Sequence, residues 1–192
     1  MISQDIQKPV QYKIKACYTE DTVRVYQSFS PELGAEVLIL RQFSKKFPLD
    51  RMLWFKVSFL GSMYDCTWGK KPGRTKVIAF DIKREAFNYL LKNGLLSTYD
   101  EDIHLNHNNW KKMLDKTEIC INWEADRNLF GNALSRKTVE IGVRYAVLEK
   151  CIQEWIVGIT DITNSIVCIK SSLEQYSFSE KDLPKETDYP LV

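Results

Sequence analysis

Two histidines and five cysteines in 192 residues leave little material for metal or thiol chemistry. The cysteines (Cys17, Cys66, Cys120, Cys151 and Cys168) are odd in number and widely spaced, and no Cys-x-x-Cys occurs. That pattern argues against a disulfide framework and against a zinc ribbon. It reads as reduced thiols, mostly buried as small apolar side chains. A nucleophilic cysteine would depend on His104 or His107, and these two with Asp100, Glu101 and Asp102 do not complete a ligand set, so no metal is expected. Neither G-x-G-x-x-G nor G-x-x-x-x-G-K-[S/T] is present, which removes the sequence support for a Rossmann or P-loop nucleotide site. There is no internal repeat and no low-complexity segment. No apolar run reaches bilayer length, and the opening residues, MISQDIQKPVQYKIK, hold no signal-peptide core. The expectation is a cytoplasmic protein without a membrane partner. A net charge of +2 is too small for nucleic-acid binding by bulk electrostatics, so any anion site must come from local clustering.

What is present suits one compact domain: 44% hydrophobic residues, 12% aromatic, and a length that supports a single real core. Alternating or β-rich runs predict strands over 23–29, 52–58, 76–82, 118–123 and 138–143. The run KVIAFDI is the most apolar of these and is expected to lie centrally in the sheet. Ser30-Pro31-Glu32 carries the signals of a helix start, and that helix is expected to run to about Phe43. Further helices are expected over 60–68 and 83–92, through Met113 and Leu114, over 145–157, and from Asp161 or Thr163 to about Gln175. Residues 128–136 read as a turn-rich loop. Strands and helices mix without a βαβ rhythm, so the fold class is α+β: a mixed or antiparallel sheet of about five strands flanked by helices. The organisation reads as a lead-in over 1–20, one globular domain over 21–176, and an acidic, loosely held tail over 177–192.

Charge is unevenly placed. From Arg51 to Lys76 the chain reads RMLWFKVSFLGSMYDCTWGKKPGRTK, with Arg51, Lys56, Lys70, Lys71, Arg74 and Lys76 around five aromatic rings and one acid, Asp65. Cations beside flat rings are what a phosphate-bearing ligand with a base requires. The turn Gly69–Arg74 can hold a phosphate, or simply be a solvated connection. Alternation puts Trp54, Lys56 and Ser58 on one face of their strand and Leu53, Phe55 and Val57 on the other. A lysine inside a strand is costly if buried alone, so it lines a wet cleft or guards an edge. Arg24, Tyr26 and Ser28 share a face of the first strand, and Arg24 can fork onto a phosphate or pair with a neighbouring acid. Glu140 is a carboxylate centred in a β-run; it is either a rigid catalytic acid or the partner of Arg24 or Lys56.

Several of these motifs occur together in one order: Val-Tyr-Gln in the first strand, RMLWFKVSF, Tyr64-x-x-x-Trp68-Gly69, KVIAFDI and EWIVGITDIT. In that order they resemble a bacterial and fungal family known as domain of unknown function 4291, from about Arg24 to Thr163. The usual family form reads RMTWIKPSF and then Tyr-Arg-Ser-Gly-Trp. Here Leu53 and Val57 replace a threonine and a proline, and Asp65-Cys66-Thr67 stands where an arginine-led triplet is usual. Glu140 stands where the family often carries glutamine. A further analogy is to ADP-ribosyltransferases of the arginine–serine–glutamate type, whose three residues lie on successive core strands in the order of Arg24, Ser58 and Glu140. By that analogy Arg24 holds the NAD phosphates, Ser58 orients the nicotinamide ribose, and Glu140 bonds a ribose hydroxyl as charge develops at the anomeric carbon.

The expectation is therefore an enzyme acting on a nucleotide or nucleic acid, ADP-ribosyltransferase-like, using NAD. Glu140 is its catalytic residue, Arg24, Tyr26, Trp54, Lys56 and Ser58 line the cofactor, and Arg51, Lys70, Lys71 and Arg74 contact phosphate. The alternatives are a non-catalytic nucleic-acid-binding module built on the basic and aromatic patch, and a protein-interaction domain whose lysines are merely solvated.

Overall fold

Alternation of apolar residues along the strands builds a sheet whose two faces differ in chemistry. The computed structural model describes residues 11–41, 43 and 47–190. Its strands are β1 (Gln11–Tyr12), β2 (Lys15–Ala16), β3 (Thr22–Phe29), β4 (Leu53–Lys56), β5 (Lys76–Lys83), β6 (Leu95–Leu96), β7 (Ile119–Arg127), β8 (Ala133–Val143), β9 (Ile156–Asp161) and β10 (Thr187–Asp188). Its helices are α1 (Pro31–Leu40), α2 (Phe59–Asp65), α3 (Arg84–Asn93), α4 (His107–Lys116), α5 (Tyr145–Lys150) and α6 (Thr163–Glu174). The main sheet runs β6-β7-β8-β4-β3-β5-β9, with β1 also on β8. Among the described residues only the short β6–β7 and β1–β8 pairings are parallel. The fold is a single α+β domain, as the mixed pattern predicts.

One face carries the main core. Val23, Val25 and Phe29 of β3, Phe55 of β4, Ile78, Phe80 and Ile82 of β5 and Ile141 of β8 pack under α1, α3 and α5. Phe80 lies at the centre of an aromatic set, with Phe29, Phe43 and Phe55 at 5.6–6.1 Å. The opposite face has a smaller core, where Tyr26, Val77 and Ala79 meet Phe59 and Met63 of α2, Trp68, and Ile166 of α6. The rest of that face is polar.

Local signals hold where they are strong. Ser30 caps α1, accepting from the Leu33 N–H at 3.3 Å with Pro31 in the first turn, and Arg41 ends the helix in the left-handed region. Ser58 caps α2 in the same way. That helix stops at Asp65, short of the expected Trp68, because Thr67 and Trp68 take left-handed backbone angles before Gly69. The sheet exceeds the expected five strands. Residues 133–136, expected as loop, extend β8, and Ile156–Asp161 is an edge strand where helix was expected to end and begin again. The helical spacing of Leu148, Cys151, Ile152 and Trp155 ends in a π-helical turn, Cys151–Trp155, that leads straight into β9. KVIAFDI lies one strand in from that edge rather than at the centre; it is apolar because helices cover both of its faces. Among the described residues no helix is long and apolar enough to cross a membrane. All five cysteines are free, and burial pushes the Cys151 thiol up to about 12.

The acidic tail is pinned where looseness was expected. β10 pairs antiparallel with β2. Tyr189 is buried against Tyr18 and Phe87 and donates its hydroxyl to Asn88 Oδ1 at 2.6 Å. The Glu186 carboxylate accepts the Phe59 N–H at 2.6 Å. Burial pushes the Glu186 carboxyl up to about 7; Asp126 adds to the rise, and the Phe59 N–H, Arg136 and Lys15 oppose it. Tyr26 and Cys17 also face it. The folded chain thus binds this proton more tightly than the unfolded chain. The contribution of Glu186 to stability is most favourable below the ordinary carboxyl range and is lost as pH rises to about 7. The urea midpoint is expected to fall between pH 5 and pH 8 more steeply in the wild type than in Glu186→Gln; equal slopes would remove Glu186 as the cause.

Candidate functional site

A single rung of the sheet sets the polar site. Cross-strand register places Ala79, Tyr26, Lys56, Glu140 and Asn122 side by side on β5, β3, β4, β8 and β7. Strands are spaced at about 4.8 Å, so these five side chains line one row on one face. The row begins apolar and ends charged. Lys56 Nζ donates to Glu140 Oε1 and to Glu124 Oε1, the latter at 2.8 Å. Asn122 Nδ2 donates to Glu140 Oε2 at 3.1 Å, and Ser97 Oγ donates to Asn122 Oδ1 at 3.3 Å. Both oxygens of Glu140 are therefore held. The Lys56 and Glu140 side chains are 12% and 11% exposed, and Glu124 is 33% exposed. One ammonium faces two carboxylates, and the second carboxylate opens to water. Trp54 stands two residues along β4 beside the row. Opposite it is Gly142, where a Cβ would come within 3.0 Å of the indole and 2.8 Å of Met52 Cγ, so only glycine lets these two side chains lie over β8.

A second polar group adjoins the first. Ser58 Oγ accepts the Gly61 N–H at 3.1 Å and donates to Asp126 Oδ1 at 2.7 Å. Buried Asp126 takes Arg136 Nε on its other oxygen at 2.9 Å, with a second, shorter bond from the same guanidinium. This network ties the start of α2 to β7 and β8. On the other flank Arg24 forks onto Asp81 through Nε and Nη2, each at 2.8 Å, and that hydrogen bonding raises its already high pKa. Gly158 lies opposite Asp81 and leaves its carboxylate room, since a Cβ there would sit 2.6 Å from Oδ2.

Arg24, Trp54, Lys56, Ser58 and Glu140 therefore share one face of the sheet, and the Lys56–Glu140 pair is the ion pair that the strand pattern allowed. Tyr26 does not serve as an exposed stacking ring in this structure. It lies buried against Phe59, at 5.4 Å between ring centres, because α2 covers it, and that burial holds its hydroxyl well above the ordinary range. Its hydroxyl has no hydrogen-bond partner among the described residues.

The basic stretch is less basic than its sequence. Lys71 and Arg74 both reach Asp65, at 3.4 and 3.5 Å, and Lys76 pairs with Asp161 at 2.7 Å. Arg51 and Lys70 make no ion pair among the described residues, and Lys71 and Arg74 share the single carboxylate of Asp65. Asn122, Glu124, Asp126 and Arg136 were not foreseen. The signal for the first three is the every-second-residue polar stripe Asn122, Glu124, Asp126, which runs on past Trp123, where the β-rich pattern of the sequence ends. No group of three or more His, Cys, Asp or Glu among the described residues could hold a metal ion.

The sequence model of a family described as Domain of unknown function (DUF4291) matches residues 13–189. No curated protein matches the chain.

The charge balance makes a stability prediction. Lys56→Met leaves two carboxylates facing each other and is expected to destabilise the fold by about 3–5 kcal/mol. Glu140→Gln keeps the Lys56–Glu124 pair and is expected to cost clearly less. Urea melts of the two variants measure this, and equal losses would mean that Lys56 does not organise the site.

Proposed function

The chain belongs to the DUF4291 family, and we propose that it is an enzyme acting on a nucleotide or nucleic acid, with the polar face of its sheet as the reaction surface. The observation that carries this reading is the Lys56–Glu124–Glu140–Asn122 cluster. It places a net negative, partly open group of fixed carboxylates beside an indole, with a guanidinium on the neighbouring strand. Such a cluster costs folding energy, and a merely structural ion pair would need one carboxylate, not two. Charge fixed in position before the reaction is the main means by which proteins stabilise developing charge.

ADP-ribosyl transfer from NAD is the form of this chemistry that the arrangement supports best. The bond between the anomeric carbon and the nicotinamide nitrogen breaks, and nicotinamide leaves with the electron pair. A nucleophilic oxygen or nitrogen of the acceptor then bonds that carbon and gives up its proton to solvent. Glu140, oriented by Lys56 and Asn122, faces the positive charge on the ribose. Trp54 offers a flat surface to a ring. Arg24 takes the pyrophosphate by exchanging one anionic partner, Asp81, for another. Ser58, held by Asp126, fixes the start of α2 at the margin of the site. Binding and orientation supply most of the barrier lowering, so no covalent intermediate with the protein is needed.

The test is nicotinamide release from NAD by the purified full chain, offered RNA, DNA and protein acceptors in turn. Release is expected with one of them, and Glu140→Gln should lower the rate by about a hundredfold or more. Absence of NAD binding by calorimetry together with absence of release would end the proposal. Salt-sensitive binding of nucleic acid that Glu140→Gln leaves intact, without turnover, would point to a non-catalytic binding module instead.

A further inference from the structure

We propose that a trough at the β6 edge of the sheet, along α4 and the loop 97–105, binds single-stranded nucleic acid. Three cavities of about 490, 400 and 570 Å³ follow one another there. Ile103 lines both the first and the second, and Lys112 with Met113 lines both the second and the third, so the three adjoin one another in a row. The first cavity is walled by Tyr12, Tyr99 and Trp123, with Lys137 at its margin. The second lies against His104 and Trp110, and the third is bordered by Lys92, Lys112 and Lys116.

Charge and rings together name the occupant. Among the described residues none of these four lysines makes an ion pair. The one acid lining the path is Asp100, whose Oδ1 accepts the Asp102 N–H; Glu101, Asp102 and Asp115 do not line it. Lys92 and Lys116 stand in the last turns of α3 and α4, where a cation also offsets the helix dipole; Lys112 and Lys137 have no such role. The rings are fixed in advance. Tyr99 stacks on His104 at 5.8 Å and meets Trp110 edge-on at 5.8 Å, and Trp110 Nε1 donates to Leu96 O at 2.9 Å. Pre-set rings beside unpaired lysines are the elements of a site that stacks bases and follows a phosphate backbone. Ile103, Leu105 and Met113 remain exposed along the trough, an apolar edge that unstacked bases can cover and a paired duplex, with its bases turned inward, cannot.

The first cavity lies against Ile121 and Trp123, which alternate with Asn122 along β7 and so face away from Glu140, and binding here and turnover there are separable. Fluorescence anisotropy with a short labelled single-stranded RNA, the matching DNA strand and the DNA duplex tests it on the full chain. Single strands are expected to bind with quenching of tryptophan emission. Four lysine contacts predict a log–log salt slope of roughly −3. The Lys112→Glu, Lys116→Glu double variant should bind about tenfold or more weakly. Tyr12→Ala should weaken binding severalfold, and Glu140→Gln should bind as the wild type does. All three lysine and tyrosine positions are exposed, so these variants are expected to fold. The inference is overturned if single strands do not bind at low salt, if the double lysine variant binds like the wild type, or if duplex binds equally well without a change in tryptophan emission. Binding lost through Lys70→Glu with Arg74→Glu rather than through α4 would likewise overturn it.

Discussion

A lysine in the middle of a sheet has to be answered, and the answer given to Lys56 organises this protein. Alternation along β4 sends Phe55 and Val57 into the main core, which forces Lys56 to the other face. There an ammonium shielded from water needs anionic partners, and β8 and β7 bring Glu140 and Glu124 to it from far along the chain. Asn122 then occupies the free oxygen of Glu140. The pairing register of β4, β8 and β7 and the chemistry of the site are thus one constraint, because a one-residue slip of any of these strands would turn its members of the cluster toward the core.

The two faces of the sheet divide the work. The apolar face, filled by aromatic rings around Phe80 and covered by three helices, supplies most of the burial that holds the strands together. The other face is only partly covered, by α2 and α6, and it collects ionic groups in three neighbouring sets: Arg24 with Asp81, Lys56 with Glu124 and Glu140, and Arg136 with Asp126. Ser58 joins the third set to the start of α2, and Glu186 closes over the same helix end from the tail. The tail belongs to the fold because Tyr189 is buried and its backbone pairs with β2, although its acidic composition resembles that of a free terminus.

Legibility followed the range of the forces involved. Strands β3, β4 and β5 were readable because alternation and β-branched content are properties of a few adjacent residues. The capped start of α1 was readable for the same reason: Ser30 and Pro31 act on the turn that follows them. β9 was hidden because the helical spacing before it runs on without a breaker, and only pairing with β5 decides where helix gives way to strand. At the site, Arg24, Trp54, Lys56, Ser58 and Glu140 were readable as polar or aromatic positions on β-segments. Their partners were not, since Asp81, Glu124 and Asp126 look like ordinary surface acids until a strand is laid beside them.

The order of residues alone determined the α+β class, the inward and outward faces of the central strands, and the family to which the chain belongs. It also determined that a lysine and a glutamate would stand inside strands, where burial makes charge expensive. Tertiary structure decided which acid answers which base, that Tyr26 lies under α2 instead of facing a ligand, and that Lys76 pairs with Asp161 of β9 while Lys71 and Arg74 share Asp65. Charge pairing works over a few ångströms of space, and in a sheet those few ångströms join residues separated by dozens of positions in the chain; no local pattern can carry that information.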